Sequence, residues 1–589
     1  MHGLEKTLGG LCAICLAMPA AAQAESHRDV VIDAPEAVTQ LQAAGLDLGS
    51  LVFAHPTRSN ADLQQRVGWQ GLVKVVSVAL GQRKKSDRKL GVGIRFAHRL
   101  FDARWLTARQ AHMNLVAVVN RLDRAPFSAE GCGETRLIYR LGYDVGDDAS
   151  PLPMTVNVVF RQPGTCFEAW KRWPWNSERH PELLLRPDAA LAPALLTPEN
   201  LLAVEVNLQS VRWPSTVKPD LGGHAEYLLR VLHRQPDGSW VLAQMENQPD
   251  VQKLRGNPGL RARLLAWLRE PTHLPAIDAG TAVLPAEFLA TEATSVAPRG
   301  LARSQNRPFQ HVFSPAELAG VDLHAYRDMP TPAALLRRLD AMSCTGCHQS
   351  NSLAGFHLLG ADPPTRKLDA LAVGRSPHLG HEIPLRQADM DAWPEMPKPR
   401  RLDEADLLDI GLPNGPCGLT DVGLPPCLNL PTAKLRCVQV DDPDVGVCLP
   451  EAGDIGGACE GGELRAGLSS EHDSISHATI LACPDGGVCN RSRAGFPAGV
   501  CVGACANPPD GTTCTGIPAL TPFNRCLARH KPFTQCVTST AVNVLVRGCS
   551  AETPCRSDFV CSRGPQGQGA CMPPYFLRQL RVDGHPTVR

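Results

Sequence analysis

The chain has 589 residues, of which 59 are basic and 59 acidic, so its formal net charge is zero. A protein without a basic excess lacks the field that attracts nucleic acids or anionic lipids, and we expect neither partner. The length predicts roughly three or four domains. The 22 cysteines point to disulfides and to covalently held groups.

The first 24 residues have the three parts of a secretory signal peptide. Lys6 lies in the short basic part, residues 8–21 form an apolar run, and Ala-Gln-Ala at 22–24 precedes Glu25. No later run approaches the roughly 18 apolar residues of a membrane span. We therefore expect an exported protein without a membrane span, from which residues 1–24 are removed.

Residues 25–298 are interpreted as an α+β domain that is rich in strands. The turn sequence Pro-Asp-Gly-Ser at 236–239 predicts a hairpin there. No phosphate-binding loop, serine nucleophile elbow or zinc-binding helix identifies an activity. His112, Asp123 and Glu134 show no spacing typical of a catalytic set, so we interpret them as structural. Apolar, β-branched runs predict strands over 115–119, 136–141, 154–160, 202–208 and 227–232.

Two helices are predicted on either side of a linker over 299–324. The first has a stripe of leucines at 260, 264, 265 and 268. The second begins where Thr331 can act as the N-cap, with Pro332 at the first helical position. Four apolar residues then lie on one side of this second helix: Leu335, Leu336, Leu339 and Met342.

The pentapeptide Cys344-Thr345-Gly346-Cys347-His348 follows this second helix. Two thiols three positions apart can each add to a vinyl group of a haem, and the histidine after them can bind the iron. At the cysteine and histidine content of this chain, the pattern is expected by chance only about 0.03 times. The motif predicts one haem c, held through Cys344 and Cys347, with His348 as the proximal iron ligand.

Residues 325–411 resemble a class I monohaem cytochrome c domain. In that family a helix carries the motif, a Gly-Pro-x-Leu-x-Gly turn packs against the haem, and a later methionine, often before proline, is the sixth ligand. Here residues 355–360 match the turn except that Phe356 replaces the proline, and Met396 precedes Pro397. The resemblance implies a small all-α haem domain, Met396 as sixth ligand and one-electron transfer.

The sixth ligand has alternatives in the sequence. Met390 also follows the motif, and His357, His378 and His381 are close enough along the chain to fold over a haem. A histidine would lower the reduction potential that methionine raises, whereas an open position would permit chemistry on a bound molecule. His378 and His381 could instead complete a zinc site with the cysteine pair.

Residues 412–589 have the composition of a disulfide scaffold. Sixteen cysteines lie between Cys417 and Cys571, and a Gly-x-Cys tripeptide recurs among them at irregular spacing. Apart from the cysteines of this region, of the signal segment and of the haem motif, the sequence contains Cys132 and Cys166. We expect nine disulfides, with Cys132 bonded to Cys166. The connectivity of the others is open, and the region is interpreted as a cover or as a surface that binds a partner.

Together these features predict an exported bacterial c-type cytochrome, periplasmic or extracellular, that exchanges single electrons with a redox partner protein. Two other interpretations stay open. One is a haem oxidoreductase with a second site in residues 25–298. The other is an extracellular binding or surface protein whose haem is structural or sensory.

Overall fold

The fold is described from a computed structural model. The signal segment, His348 and Met396 lie outside the described residues, which are 27–89, 98–99, 101, 103–145, 148–212, 224–297, 300–347, 352–363, 365, 370–393, 401–403, 410–413, 415–420, 424–430, 434–439, 444–450, 454–457, 459, 483–484, 486–490, 500–527, 529, 531, 533–555, 559–563 and 567–572.

A nine-stranded antiparallel sheet is built from the first half of the chain, and it contains all five predicted strand segments. The strands are β1 Val31–Ile32, β2 His98–Arg99, β3 Ala111–Arg121, β4 Glu134–Val145, β5 Asp148–Arg161, β6 Leu201–Arg212, β7 His224–Arg234, β8 Trp240–Leu242 and β9 Glu292–Ala297. Seven strands follow the order β1-β3-β4-β5-β6-β7-β8, while β2 pairs with β6 and β9 pairs with β7. The prediction of a mixed, β-rich domain is confirmed.

Several helices pack against the sheet. On one face Leu41 and Trp69 pack with Val156 and Val206 in the main hydrophobic core. No described helix combines the length and the apolar character needed to cross a membrane. The helices are α1 Pro35–Ala43, α2 Leu48–Phe53, α3 Asn60–Leu63, α4 Val67–Lys89, α5 Cys166–Lys171, α6 Val251–Gly256, α7 Pro258–Arg269, α8 Leu274–Asp278, α9 Pro332–Met342, α10 Cys344–Cys347, α11 Leu379–Asp391, α12 Leu520–Leu527 and α13 Phe533–Thr540.

The predicted hairpin joins β7 to β8. Its turn is closed by a hydrogen bond from the Gln235 N–H to the Ser239 carbonyl at 2.8 Å, and the Asp237 carboxylate accepts from the Ser239 N–H at 2.9 Å. Gly238 has a φ of 81°, a backbone conformation that glycine adopts without steric cost. Turn chemistry and strand pattern therefore agree, which is why this hairpin was predictable.

The disulfide Cys132–Cys166 is present, as predicted, and it ties the start of α5 to the loop before β4. It closes a loop of 34 residues. Since a cross-link of this length removes conformational entropy from the unfolded chain, we expect Cys132→Ala with Cys166→Ala to lower the free energy of unfolding by about 3–4 kcal/mol. Guanidinium titrations measure this loss, and an unchanged midpoint in the double variant would contradict it.

Residues 325–411 are packed between the other parts of the molecule. Leu335, Leu336 and Leu339 of α9 join a core with Leu264 of α7, and Leu358 joins the main core of the sheet. All eight residues from 334 to 341 are buried. A helix enclosed on every side cannot be the surface helix of a small domain. The expected small all-α haem domain is therefore not shown.

The start of α9 agrees with the sequence. The Thr331 hydroxyl accepts a hydrogen bond from the Ala334 N–H at 3.2 Å, and Pro332 occupies the first helical position. The short strand β10, Ala370–Leu371, then pairs with Ser562 and Arg563 of the C-terminal region. Segment 325–411 is therefore packed against the N-terminal part of the chain and paired with a strand of the C-terminal region.

The C-terminal region is a disulfide scaffold, as predicted, with short antiparallel strands. Eight disulfides join all sixteen of its cysteines: 417–437, 427–448, 459–489, 483–501, 505–514, 526–536, 549–561 and 555–571. Its strands are β11 Pro416–Gly418, β12 Leu435–Gln439, β13 Val445–Pro450, β14 Val488–Asn490, β15 Val500–Val502, β16 Thr512–Pro518, β17 Ala541–Arg547, β18 Val560–Arg563 and β19 Gly569–Met572. The nine disulfides of the described chain indicate an oxidising environment.

Three hairpins in this region have the same construction. In each, two cysteines lie directly opposite each other on paired strands, Cys437 with Cys448, Cys489 with Cys501, and Cys561 with Cys571. Each of these cysteines is bonded to a cysteine earlier in the chain. The irregular Gly-x-Cys pattern is therefore a repeat in structure, whose loops differ in length.

Candidate functional site

The cysteine motif begins a short helix at the end of α9. Ser343 has an extended backbone that ends α9, and its hydroxyl donates to the Asp340 carbonyl at 2.7 Å and accepts from the Gly346 N–H at 3.1 Å. The loop before α6 holds the motif from outside, because Thr345 donates twice to the Gln248 side chain, at 3.0 and 2.8 Å. The predicted position at a helix end is confirmed.

Gly346 allows α10 to pack tightly on α9. A Cβ atom at this position would lie 2.2 Å from the Asp340 carbonyl oxygen and 2.9 Å from the Ala341 Cα. Both neighbours are backbone atoms, so they cannot move away as a flexible side chain would. The small residue between the two cysteines is thus required by the packing of the helix, independently of any ligand.

Gly346→Ala is therefore expected to lower the free energy of unfolding by about 1–3 kcal/mol, the usual cost of overpacking a tight contact. The matched control is Gly320→Ala, because a Cβ atom there would meet no atom within 4 Å. Thermal or denaturant unfolding of both variants measures the difference. Equal midpoints for Gly346→Ala and Gly320→Ala would show that the contact is not tight.

Cys344 lies on the wall of a cavity of about 360 Å³ between the sheet and the motif. Its side chain is half-buried and its Sγ donates to the Glu246 carbonyl at 3.3 Å. The side chain of Cys347 lies outside the described ones. Much of the remaining wall is apolar or sulfur-containing: Phe127, Leu229, Met245, Met342, Leu353, Phe356, Met390 and Trp393.

The cavity extends across the sheet. Cys344 packs with Leu229 of β7 at one end, and Asn120 of β3 donates to the Met390 sulfur at 3.7 Å at the other. Four strand spacings separate β3 from β7, which corresponds to about 19 Å. The space is therefore an elongated cleft with the thiol at one end, a shape suited to a flat ring system tethered at its edge.

A buried charge network forms the β3 end of the cleft. Arg121 donates to Asp123 at 2.9 and 3.0 Å, and Arg386 contacts both Asp123 and Glu382. Burial raises the pKa of Asp123, but the two arginines outweigh this effect and hold that pKa well below its usual range. Asp123 therefore stays ionised at neutral pH. The sequence does not indicate this network, because Glu382 and Arg386 are far from Arg121 and Asp123 along the chain.

Four polar side chains line the middle of the cleft, and we call them the polar floor: Arg136, Asn157, Glu205 and Asn207. They come from strands β4, β5 and β6. Asn157 lies opposite Glu205 in the strand register and donates to its carboxylate at 3.0 Å. Arg136 donates to the same oxygen at 3.2 Å and to Glu134 at 2.8 Å. The Oδ1 atoms of Asn157 and Asn207 are buried with no hydrogen-bond partner among the described residues.

The candidates for the sixth iron ligand lie in different parts of the structure. Met390 is buried and lines the cleft. His357 and His378 stack on each other with ring centroids 4.8 Å apart, and neither is among the described residues that line the cleft. Burial lowers the pKa of His378 to about 4, so it is neutral at pH 7. Met396 and the side chain of His381 lie outside the described parts of the chain.

Three further residues that the sequence indicates as structural lie in different places. His112 lies 3.4 Å from Asp144 and is not among the described lining residues. Asp123 belongs to the charge network of the cleft, and Glu134 accepts a hydrogen bond from Arg136 of the polar floor.

No family model, curated protein or solved structure matches this chain.

Proposed function

We propose that this chain is an exported bacterial c-type cytochrome that carries one haem and transfers single electrons. Cys344 and Cys347 would hold the haem by thioether bonds, and His348 would be the proximal iron ligand. One observation carries the proposal. Cys344, the first residue of the motif, lies on the wall of a large, mostly apolar cleft between the motif and the sheet.

The residues present fit a haem. The apolar and sulfur-containing wall suits the ring, and the arginines of the cleft suit its two acidic side chains. Two buried donors of the cleft, Trp393 Nε1 and Arg124 Nε, have no hydrogen-bond partner among the described residues. Haem bound there would supply an iron that takes up and releases one electron at a time.

The proposal keeps the resemblance to class I cytochrome c, but the haem would lie between the motif and the sheet of the N-terminal domain instead of inside a small separate domain. The matched turn starts as a short 3₁₀ helix, Gly355–His357, and Gly355 and Phe356 line the cleft beside Cys344. The opposite wall comes from the sheet of the N-terminal domain. The protein's own part in electron transfer would be to exclude water, to hold the motif rigidly through Gln248 and to place charged groups around the site.

The first test is to produce the full chain in cells that have a cytochrome c maturation system. We expect a coloured protein whose visible spectrum changes on reduction, and whose haem stays attached after denaturation. Purification of a colourless chain, or of a chain that holds zinc at the motif, would overturn the proposal. The same sample identifies the axial ligand.

Met390 lines the end of the cleft opposite Cys344, whereas the iron of a haem tethered at Cys344 would lie close to the thioether sulfurs. The sixth ligand in this proposal is therefore Met396, which the class I resemblance implies. We expect the ferric protein to show a far-red charge-transfer band that is lost in Met396→Ala and kept in Met390→Ala. Loss in Met390→Ala alone would assign the ligand to Met390 instead. Persistence of the band in both variants, or its absence from the unmodified protein, would contradict methionine ligation at these two positions.

The polar floor favours one second candidate, a haem oxidoreductase whose substrate site is built by residues 25–298. A cytochrome that only exchanges electrons has no need of two buried amide oxygens without donors. Turnover of a substrate by the haem-loaded chain, lost in Glu205→Gln while the visible spectrum is unchanged, would support this candidate. The same loss together with a changed spectrum would instead assign Glu205 to haem binding.

A further inference from the structure

Three tryptophans follow one another closely in the sequence, and their surroundings differ. Trp173 is fully buried in the main core, whereas Trp170 is half-buried and Trp175 is 43% exposed. Phe167, one helical turn before Trp170 on α5, is 46% exposed. Packing in the core explains Trp173. The other three rings lie together at the surface, where clustered apolar side chains mark binding sites.

Phe167, Trp170 and Trp175 form what we call the aromatic corner. The rings of Phe167 and Trp170 are nearly parallel, with 19° between their planes and 6.3 Å between their centroids. The Trp175 ring stands at 84° to the Trp170 ring, with centroids 6.4 Å apart. The fold holds the corner in place, because the Trp170 Nε1 donates to the Met390 carbonyl at 3.2 Å. Ring faces that point in two directions suit a ligand with a ring of its own.

Arg28 lies against this corner. Its backbone pairs with that of Trp175 in an isolated antiparallel bridge. Its guanidinium carbon is 3.9 Å from the centroid of the Trp170 ring and 4.5 Å from that of Trp175. The residue is 7% exposed. Nη1 donates to the Trp173 carbonyl, but Nε is buried with no hydrogen-bond partner among the described residues. The ring faces attract the cation, yet they leave this N–H without an acceptor.

No carboxylate of the described residues balances the charge of Arg28. Burial acts to lower the pKa of Arg386, but Asp123 and Glu382 outweigh it and raise that pKa. Burial also lowers the pKa of Arg28, and there no neighbouring carboxylate opposes it. Buried charges in proteins are normally paired. The guanidinium between the two tryptophan rings therefore indicates a missing anion.

Lys171 adds a second positive charge at the same surface. Its Nζ lies 4.1 Å from the centroid of the Phe167 ring, and it forms no ion pair among the described residues. The acidic residue of the same helix, Glu168, is engaged at the helix start, where it accepts from the Thr165 N–H at 2.8 Å. The surface therefore combines exposed ring faces with two cations that lack a carboxylate partner.

We propose that the aromatic corner binds a small ring that bears a carboxylate. The ring packs on the exposed faces of Phe167 and Trp175, and the carboxylate accepts charge-assisted hydrogen bonds from Arg28 and Lys171. Aromatic acids and sugar acids share this chemistry. None of these four residues lines the cleft, so the site goes beyond the proposed haem function and does not rest on it.

The test is calorimetric titration of the full chain, as purified, at low salt and pH 7. The probes are sodium benzoate and sodium glucuronate, and their matched uncharged analogues are benzamide and glucose. We expect saturable binding of at least one acid, with at least tenfold weaker binding of its uncharged analogue. Benzoate binding alone would assign an aromatic acid as the ligand, and glucuronate binding alone would assign a sugar acid.

Three variants locate the site. Trp175→Ala changes a side chain at the surface, and Arg28→Gln removes the buried charge; each should weaken binding of the acid at least tenfold. Lys171→Gln should weaken it at least threefold. The matched control is Lys74→Gln, which changes an exposed lysine of another helix, α4, and should bind normally.

Lack of saturable binding of both acids, or equal affinity for an acid and its uncharged analogue, would overturn the inference without any variant that must fold. Unchanged binding by a folded Trp175→Ala would overturn it as well. If Arg28 only supports the fold, Arg28→Gln loses stability and the unmodified chain binds neither acid. The haem proposal is tested separately, because a colourless chain that binds the acid keeps this site.

Discussion

Cys344→Ala combined with Cys347→Ala is expected to abolish covalent haem completely. Thioether bonds need both sulfurs, and the other cysteines outside the signal segment are held in disulfides. No described thiol near the cleft could replace them. The measurement is a haem stain of the denatured protein on a gel, with the visible spectrum of the native protein recorded beside it.

The control removes two cysteines elsewhere. Cys505→Ala with Cys514→Ala eliminates a disulfide that closes a loop of 9 residues, and neither residue lines the cleft. This variant should keep its covalent haem. Haem that survives denaturation in the Cys344 and Cys347 double variant, at the level of the control, would show that the motif is not the attachment site.

Asp340 is expected to make the stability of the protein depend on pH. It lies one helical turn before Cys344, is 0% exposed and accepts a hydrogen bond from the Phe309 N–H at 2.7 Å. Burial raises the pKa of this carboxyl to about 8, even though Phe309, Arg307 and Gln310 act in the opposite direction. In the unfolded chain the same group has a pKa of about 4.

The sign follows from these two pKa values. Between pH 4 and pH 8 the folded protein keeps a proton that the unfolded chain has lost, so stability falls as pH rises through this window and levels off above it. The slope is about 1.4 kcal/mol per pH unit, or up to about 5 kcal/mol in all. Asp340→Asn cannot ionise, and it should lose this slope and be more stable than the unmodified chain at pH 8.5.

Urea titrations at several pH values between 4.5 and 8.5 measure the effect as the difference between the two proteins. Asp188→Asn is the matched control, because the Asp188 side chain is 83% exposed. The difference in free energy of unfolding between Asp188→Asn and the unmodified protein should not vary with pH. A constant difference between Asp340→Asn and the unmodified chain over this range would mean that Asp340 is ionised in the fold.

Local features of the fold were predictable because they depend on residues close in sequence. The β7–β8 hairpin follows from Pro-Asp-Gly-Ser between two apolar runs, and α9 begins at Thr331 because a hydroxyl and a following proline suit a helix start. The disulfide between Cys132 and Cys166 was predictable by elimination. The other eight disulfides were not, because sixteen cysteines close together along the chain permit many pairings.

The sequence by itself therefore determined the motif, the strands and the disulfide-rich character of the C-terminal region. Only the tertiary structure decided where the motif lies. Segment 325–411 reads as a small helical domain, but its helix α9 is buried all round and its cleft is closed by the sheet. The polar floor was also invisible in the sequence. Arg136, Asn157 and Glu205 are on three strands, and hydrogen bonds across the sheet bring together side chains that are up to 69 residues apart.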